Sequence, residues 1–422
     1  MKKKLLAIML CLVMVAATVS MLVACDNGNN GENGNNGGDG ATTYNITVWV
    51  GEGTKELTLS QIAKFNELNA DTVKFNATVE IVSESKAVGD IEGKPTDSWP
   101  DIFTFAQDQL ARAVKGNMLQ SLNASSISTI QTNSTDNAIA AVTVGNTIRA
   151  FPMTADNGYF MYYDKSVITD ESHLTSLEAL IEDCENAQRY FSMSLEDGAW
   201  YAASFFYAAG CKSEWTTDEN GRFTKYDDNF KSDKGVIALQ GMQKLLKSDW
   251  HNDSDKAAGF NASLKSAVVI SGIWDYNTAK DALGDNLGIA PLPSYTVDGN
   301  SYQLQSYLGH KLLGIKPQSD AYKSYYLQLL AAYLTGADCQ KARFEQLGWG
   351  PSDKSLQNLS TAALNMLKGE NIKTNPQGQY PDEWWTQVNV MVQNAKKAGS
   401  DAASLLIVLE DNYNSKLSGF LS

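Results

Sequence analysis

Apolar and polar residues alternate along the first part of the chain in segments that predict strands, and each segment leads into a helical pattern. The run 44–50 (YNITVWV) alternates like a half-buried strand, and residues 57–68 carry apolar side chains at helical spacing. The order then repeats, with strands predicted at 76–82 and 101–105 and a helix at 107–115. This alternation favours an α/β fold with a mostly parallel sheet and helices on both faces.

The rest of the chain continues with strands and then with mainly helical patterns. The folded body is roughly 380 residues long, more than one core usually spans, so two lobes are expected. No repeat of solenoid length is visible. The further predicted strands are 150–153, 160–163, 267–270 and 287–293, and the further predicted helices are 174–187, 201–209, 235–246, 321–334, 337–347 and 383–397.

The first 24 residues have the pattern of a bacterial lipoprotein signal peptide. Three lysines precede an apolar run at 5–24, and Cys25 follows the small residue Ala24. We therefore expect cleavage before Cys25 and attachment of lipid to its thiol. The alternative is an uncleaved transmembrane anchor, because the run is about as long as the ~20 residues that span a bilayer. The cysteine at the end of the run, with a flexible segment directly after it, favours the lipoprotein interpretation.

Residues 25–41 are predicted to be the lipidated cysteine and a disordered tether. The segment 26–40 (DNGNNGENGNNGGDG) has no apolar residue to bury. A random coil of this length reaches on the order of 20 Å. The folded body is therefore expected to begin near Thr42, at a short distance from the membrane.

The net charge of the mature chain argues against some classes of binding partner. Removal of the leader leaves 31 basic and 48 acidic residues, a formal net charge of −17. Such a surface disfavours nucleic acid and anionic membranes, although it allows a neutral ligand. No second apolar stretch is long enough to cross a membrane, so the body is expected to be soluble and held to the membrane only through its N-terminal lipid.

Cysteine and histidine are too sparse for a disulfide scaffold or a zinc site. The body has only Cys184, Cys211 and Cys339, which permit at most one bridge. A bridge between Cys184 and Cys211 and three buried free thiols are both open alternatives. The three histidines are scattered without ligand spacing, so neither a metal nor another cofactor is expected.

Six motifs occur in one order over essentially the whole body, and together they resemble a known family. The motifs are ITVWV at 46–50, PDIFTFAQDQLARAVKGNMLQSL at 100–122, AFPMTADNGYFMYYDKSVI at 150–168, FNASLKSAVVISGIWDYN at 260–277, GIAPLP at 288–293 and GWGPSDKSL at 348–356. With these motifs the chain resembles the extracellular sugar-binding proteins of ABC importers, of the maltose/maltodextrin-binding type.

The resemblance implies a two-lobe periplasmic-binding-protein fold, type II-like, with a ligand cleft between lobes joined by hinge strands. The N-lobe would comprise 42–154 plus 299–350, and the C-lobe 155–298 plus 351–422. Bending at the crossings would close the cleft around the ligand. The implied protein is a monomer on the extracellular face of the membrane, of the kind found on Gram-positive cells, that passes an oligosaccharide to the permease subunits of an ABC transporter.

A sugar ring needs aromatic platforms for its C–H faces and short polar groups for its hydroxyls. Side chains in loops that follow strands are the best placed, because open sheets bind ligands at the carboxyl ends of their strands. By resemblance, the ligand-binding residues are Glu52, Phe105, Asp108, Asp156, Asn157, Trp200, Trp274, Trp384 and Trp385.

Several of these residues have a competing structural interpretation. Glu52 also fits a solvated turn, and Asp108 fits the N-cap of the helix that follows it. One of Trp384 and Trp385 is expected to pack inward. Trp274 is the best match, because SGIWDY follows a buried strand, where the family places a stacking tryptophan.

Three or more platforms along a groove favour an oligosaccharide, with a malto-oligosaccharide or other α-glucan fragment preferred. Xylo-, manno- and galacto-oligosaccharides would use the same residue types and remain open. A secreted glycoside hydrolase is the chief rival, since its cleft also holds aromatic residues and carboxylates. The chain has no nucleophile elbow, phosphate loop, zinc motif or histidine triad, so we predict a binding protein with no catalytic residue.

Overall fold

The computed structural model describes residues 41–261, 263–369 and 372–417 of the 422-residue chain. Its strands are β1 (Thr42–Val50), β2 (Val73–Ile81), β3 (Ile102–Ala106), β4 (Thr143–Val144), β5 (Thr147–Ile148), β6 (Phe151–Pro152), β7 (Phe160–Asp164), β8 (Tyr190–Ser192), β9 (Ser213–Thr217), β10 (Phe223–Asp228), β11 (His251–Asn252), β12 (Ser266–Ser271), β13 (Leu287–Ala290), β14 (Ser294–Val297), β15 (Asn300–Gln303), β16 (Ser306–Leu308), β17 (Lys311–Ile315) and β18 (Thr374–Pro376).

The α-helices are α1 (Lys55–Leu68), α2 (Ala87–Ile91), α3 (Leu110–Lys115), α4 (Ala124–Asn133), α5 (Asp136–Ala141), α6 (Leu177–Ala187), α7 (Ala199–Ala208), α8 (Asp233–Leu246), α9 (Tyr276–Leu283), α10 (Ala321–Leu334), α11 (Ala337–Leu347), α12 (Ala362–Lys368), α13 (Asp382–Ala395) and α14 (Ala402–Leu417).

The predicted leader and most of the predicted tether, including Cys25, lie outside the described residues. Within the ranges that are described, no helix is both long enough and apolar enough to cross a membrane.

The first lobe is built on a five-stranded sheet in the order β2-β1-β3-β17-β6. Strand β1 pairs in parallel with β2 and β3, as the strand–helix alternation predicts. Strand β17 runs antiparallel to both of its neighbours, because the chain re-enters this lobe through it. Alternate residues of β1 and the apolar face of α1, with Val48 and Phe65 as examples, pack into one core.

The second lobe has its own five-stranded sheet in the order β11-β8-β12-β7-β13. All six residues of β12 (SAVVIS) are buried, as expected for a central strand covered on both faces. Strand β7 is antiparallel to β12 and β13, because it carries the chain in from the first lobe. The predicted mostly parallel arrangement therefore holds in each lobe apart from one entering strand. Two sheets with separate cores confirm the two-lobe fold.

The lobes are joined where three crossing segments touch one another. Asn157 and Gly309 exchange backbone hydrogen bonds of 3.1 and 2.8 Å between the first and second crossings. The backbone N–H of Gly350 in the third crossing donates to Asp156 Oδ2 at 2.6 Å. These bonds hold the crossings side by side, so any relative motion of the lobes bends this shared strip.

Two of the predicted lobe boundaries are corrected by the packing. Leu304 and Tyr307 are buried in the core of the second lobe, so the chain returns to the first lobe near Gly309 rather than near Asp298. The hydroxyl of Ser352 donates to the Pro152 carbonyl, which keeps the chain on the first lobe past Pro351. The hairpin β14–β15 also belongs to the second lobe, because it packs against α6, α7 and α8.

Cys184, Cys211 and Cys339 are free and buried. Burial raises the pKa of the first two thiols to about 12 and that of Cys339 to about 11. Of the two open alternatives, the structure therefore shows free thiols rather than a bridge between Cys184 and Cys211, and they stay protonated near neutral pH.

Candidate functional site in the cleft between the lobes

The carboxyl ends of the strands in both lobes face one cleft. In the first lobe, the loops after β1, β2 and β3 carry Glu52, Glu84 and Asp108. In the second lobe, Trp200 follows β8 and Trp274 follows β12. The ammonium of Lys311, at the start of β17 in the first lobe, lies 5.3 Å from the centroid of the Trp274 ring in the second lobe. The loops of the two lobes therefore lie next to each other at this point. This is the place where an open α/β sheet binds its ligand.

Four rings of the second lobe form a row beside the cleft, which we call the aromatic row: Trp274, Trp200, Tyr307 and Trp385. Neighbouring ring centroids are 6.2, 6.0 and 6.4 Å apart in that order, and Trp200 lies parallel to Tyr307 within 5°. Tyr307 is buried, whereas the three tryptophans are half-buried. Sequence reasoning missed Tyr307, which sits in the strand β16 directly before the second crossing.

Trp384 and Trp385 have different environments although they are neighbours on α13. Trp384 is fully buried, donates its indole N–H to Asp228 Oδ2 at 3.1 Å, and stacks on Tyr380 at 4.6 Å. Consecutive residues of a helix point about 100° apart. Trp385 therefore points in a different direction from the buried Trp384 and lies in the aromatic row. Trp384 is thus the residue that packs inward, and we remove it from the candidate site.

Phe105 lies in the core of the first lobe and offers no face to the cleft. Its side chain is fully buried and packs against Phe103, with centroids 5.4 Å apart, because residues two apart on β3 share a face. The expectation that Phe105 is a sugar platform is therefore corrected. Glu52 is exposed on the turn after β1, where the interpretation as a solvated turn acid fits.

Asp108 lies in a hydrogen-bonded group at the cleft. Its Oδ1 accepts from Gln377 Nε2 at 2.8 Å, and the Gln377 Oε1 accepts from Asn157 Nδ2 at 3.0 Å. Gln107 Nε2 donates to the Gln377 carbonyl at 2.7 Å. Helix α3 begins after Gln109 without a side-chain cap, so the alternative of Asp108 as its N-cap is wrong. Sequence reasoning missed Gln377, whose amide joins two predicted residues.

Asp156 belongs to the hinge rather than to the cleft surface. It is fully buried, its Oδ2 accepts from Gly350 N–H, and its Oδ1 has no hydrogen-bond partner among the described residues. Burial lowers the pKa of the nearby Arg343 to about 10, and the Asp156 carboxylate opposes that shift. The expectation of direct sugar contact is corrected for Asp156, since its carboxylate faces the third crossing.

Two further charged groups at the cleft were missed by sequence reasoning. The Lys311 ammonium lies 3.6 Å from the centroid of Trp349 and 3.6 Å from Glu84 Oε1. The signal for Lys311 was a lysine in the otherwise apolar strand KLLGI, since lysine is seldom buried without a partner. In the described ranges, no cluster of side chains is suited to hold a metal ion.

Asp108→Asn should make the protein more stable than wild type at pH 8 and about equally stable at pH 4. Burial, with a smaller contribution from the Asp382 carboxylate, raises the pKa of Asp108 to about 7, above the ~3.9 of an unfolded aspartate. Its contribution to stability is therefore present below about pH 4 and is lost as the pH rises through about 7. Melting temperatures at both pH values measure the effect.

The control is Asp285→Asn, which changes a fully exposed carboxylate. The same pH-dependent gain in this control, or no gain in Asp108→Asn, would contradict the assignment.

Comparison with known proteins places the chain among binding proteins. A family model described as bacterial extracellular solute-binding protein matches residues 60–366. The galactooligosaccharide-binding protein of Bacillus subtilis (strain 168) is 23% identical over 328 residues, which make up 74% of this chain and 76% of that protein. The maltotriose-binding protein of Pyrococcus abyssi is 21% identical over 271 residues, 60% of this chain and 56% of that protein.

Solved structures share the fold. The maltodextrin-binding protein MalE1 of L. casei BL23 superposes with a TM-score of 0.72 at 20% identity, covering 88% of this chain and 98% of that one. The maltose/maltodextrin-binding domain MalE of Bdellovibrio bacteriovorus, bound to maltotriose, gives 0.72 at 16% identity, covering 89% and 100%. With its two lobes, its cleft and the match of the family model over most of its length, the chain belongs to the family of bacterial extracellular solute-binding proteins.

Proposed function

We propose that this protein binds an oligosaccharide outside the cell, with a malto-oligosaccharide or other α-glucan fragment preferred, and delivers it to the permease of an ABC importer. The observation that carries the proposal is the aromatic row, in which three half-buried tryptophans line one side of the cleft. Tryptophan presents the large apolar face on which the C–H side of a sugar ring packs. The relatives named for galactooligosaccharide and maltotriose binding support the same class of ligand.

The number of tryptophans in the aromatic row favours an oligosaccharide over a monosaccharide. Trp274, Trp200 and Trp385 are three half-buried rings, linked through neighbouring ring contacts of about 6 Å. Glu84, Lys311, Asn157 and Gln377 supply hydrogen-bonding groups at the same cleft. Galacto-, xylo- and manno-oligosaccharides are the alternatives, because these groups do not select a linkage.

A binding role without turnover fits the carboxylates of the cleft. A glycosidase places two carboxyl groups on either side of the scissile bond, about 5–9.5 Å apart. Here Asp156 is buried in the hinge and accepts a hydrogen bond from Gly350. Asp108 accepts a hydrogen bond from Gln377, and Glu84 forms an ion pair with Lys311. Carboxylates held in this way can accept hydrogen bonds from sugar hydroxyls without taking part in chemistry.

Calorimetric titration of the purified body against maltotriose, maltotetraose and the galacto-, xylo- and manno-trisaccharides tests the proposal. We expect saturable binding, tightest for the malto series, and unchanged sugars when the mixtures are followed by chromatography. Failure to bind any of them would refute the oligosaccharide proposal. Cleavage that disappears on Asp108→Asn would favour the hydrolase instead.

The proposal includes a lipid anchor at Cys25, with the mature protein acting as a monomer beside its permease. Cys25 follows the apolar leader, and the segment after it offers nothing that would pack against the body. Cys25→Ala should move the protein from the membrane fraction of the cells to the medium or to an unprocessed form. Unchanged retention of a correctly processed protein on the membrane would contradict the anchor.

A further inference from the structure

Three buried tyrosines of the second lobe join their hydroxyl groups beside the aromatic row, and we call them the phenol chain: Tyr307, Tyr207 and Tyr380. The oxygens of Tyr307 and Tyr207 are 2.6 Å apart, and those of Tyr207 and Tyr380 are 3.0 Å apart. The Tyr380 hydroxyl donates to the backbone carbonyl of Ser213 at 3.3 Å. Each phenol has one O–H to donate, so donation along the chain in this order gives every O–H an acceptor.

Burial keeps the three phenols protonated. It raises the pKa of Tyr380 to about 12, and it raises the pKa of Tyr207 and of Tyr307 well above the ordinary value of about 10. Every O–H is therefore present at neutral pH and able to donate. Hydrogen bonds linked in such a chain polarise one another and are strengthened by it.

Each tyrosine of the phenol chain belongs to an element that carries part of the aromatic row or leads into one. Tyr207 lies about two turns after Trp200 on α7, so the two side chains are on the same side of that helix. Tyr307 is itself a ring of the row and lies on β16. Tyr380 precedes α13, which carries Trp385, and the ring centroids of Tyr380 and Trp385 are 4.8 Å apart. The hydroxyl contacts therefore connect α7, β16 and the start of α13.

Tyr307 is the ring on which the spacing of two tryptophans depends. Trp200 lies parallel to it with centroids 6.0 Å apart, and Trp385 meets it at an interplanar angle of 73° with centroids 6.4 Å apart. A tyrosine that is held at its hydroxyl end cannot tilt without breaking that hydrogen bond. The bond to Tyr207 thus restrains the ring that both tryptophans contact.

We propose that the three tyrosines of the phenol chain are positioning residues that fix the spacing of the Trp200 and Trp385 platforms, so that the cleft favours an oligosaccharide long enough to rest on both. The phenols are buried and act through the tryptophans rather than by contact with the sugar. A short sugar covers fewer platforms and is less sensitive to their spacing. A longer sugar gains from both platforms only when they are already held at the separation of its rings. This inference rests on the proposed function.

The test compares maltose and maltotetraose on Tyr207→Phe and Tyr380→Phe, which delete a hydroxyl and keep the ring. In calorimetric titration, each variant should bind maltotetraose about tenfold more weakly than wild type does and should bind maltose with little change. A purely structural role would leave the ratio of the two affinities unchanged, because that ratio does not depend on the fraction of folded protein. The double variant should lose little more than either single variant, since both hydroxyls belong to one chain. If another sugar series binds wild type best, its di- and tetrasaccharide replace the malto pair.

The matched control is Tyr295→Phe. Tyr295 is also buried in the second lobe, and its hydroxyl donates to the backbone carbonyl of Phe205 at 3.0 Å, so it holds α7 to a strand that carries no ring of the aromatic row. This variant should keep the wild-type affinity ratio, whatever its melting temperature. A wild-type ratio in folded Tyr207→Phe and Tyr380→Phe, or an equal loss of affinity for both sugars, would overturn the inference. Absence of binding in wild type would refute the proposed function itself.

Discussion

Trp384→Ala should lower the free energy of unfolding by about 3–5 kcal/mol, the usual cost of removing a fully buried tryptophan. The ring is completely buried between Tyr380 and Phe230, and its indole N–H donates to the half-buried Asp228 carboxylate. The truncation therefore leaves both a cavity and an acceptor without its partner. Urea denaturation followed by circular dichroism measures the change.

The matched control is Trp385→Ala on the next position of the same helix. Trp385 is only half-buried, so it should cost clearly less stability than Trp384 and should instead weaken sugar binding. The fraction of Trp384→Ala that remains folded should bind with wild-type affinity. Equal destabilisation by the two variants, or a lost affinity in folded Trp384→Ala, would contradict the division between the two rings.

Trp274→Ala should weaken oligosaccharide binding roughly ten- to hundredfold, because it removes a platform whose burial against a sugar is worth about 1–3 kcal/mol. The ring is half-buried at the carboxyl end of β12 and close to both Trp200 and Lys311. Calorimetric titration gives the affinity, and a melting curve gives the accompanying change in stability.

Trp250→Ala serves as the control for Trp274. Trp250 is a half-buried tryptophan of the same lobe that packs on Tyr190 at 5.7 Å and precedes β11, away from the carboxyl edge of the sheet. It should retain wild-type affinity. If Trp274→Ala is destabilised but its folded fraction binds normally, Trp274 is a core residue and not a platform.

The fold could be predicted from the sequence because strand and helix periodicities and six ordered motifs agree over the whole body. The elements that the sequence patterns did not predict lie in segments without a clear strand or helix periodicity. The hairpin β9–β10 and the last helix α14 were not predicted, and the second crossing was placed too early. The positions of such features depend on the surface that each segment packs against. The local pattern of residues does not indicate that surface.

The candidate site was only partly predictable, because burial at single positions is decided by tertiary packing. The sequence does not state which of Trp384 and Trp385 packs inward, and the contacts of Trp384 with Asp228 and Phe230 separate them. Phe105 was predicted as a platform by resemblance to the family, yet it lies within β3 and its side chain packs into the core.

Glu84, Lys311 and Gln377 escaped prediction for a different reason. Their contacts at the cleft are with residues far away in the chain, such as Trp274 for Lys311 and Asp108 for Gln377. A buried lysine in an apolar strand was the one local signal available.

A crystal structure of the protein with its tightest-binding oligosaccharide would show whether the aromatic row binds the sugar. We expect electron density for the sugar between the lobes, with one ring packed on Trp274, another beside Trp200 or Trp385, and a hydroxyl within hydrogen-bond distance of Glu84 or Lys311. Density for the sugar outside the cleft, or in the cleft without contact to any ring of the aromatic row, would contradict the account.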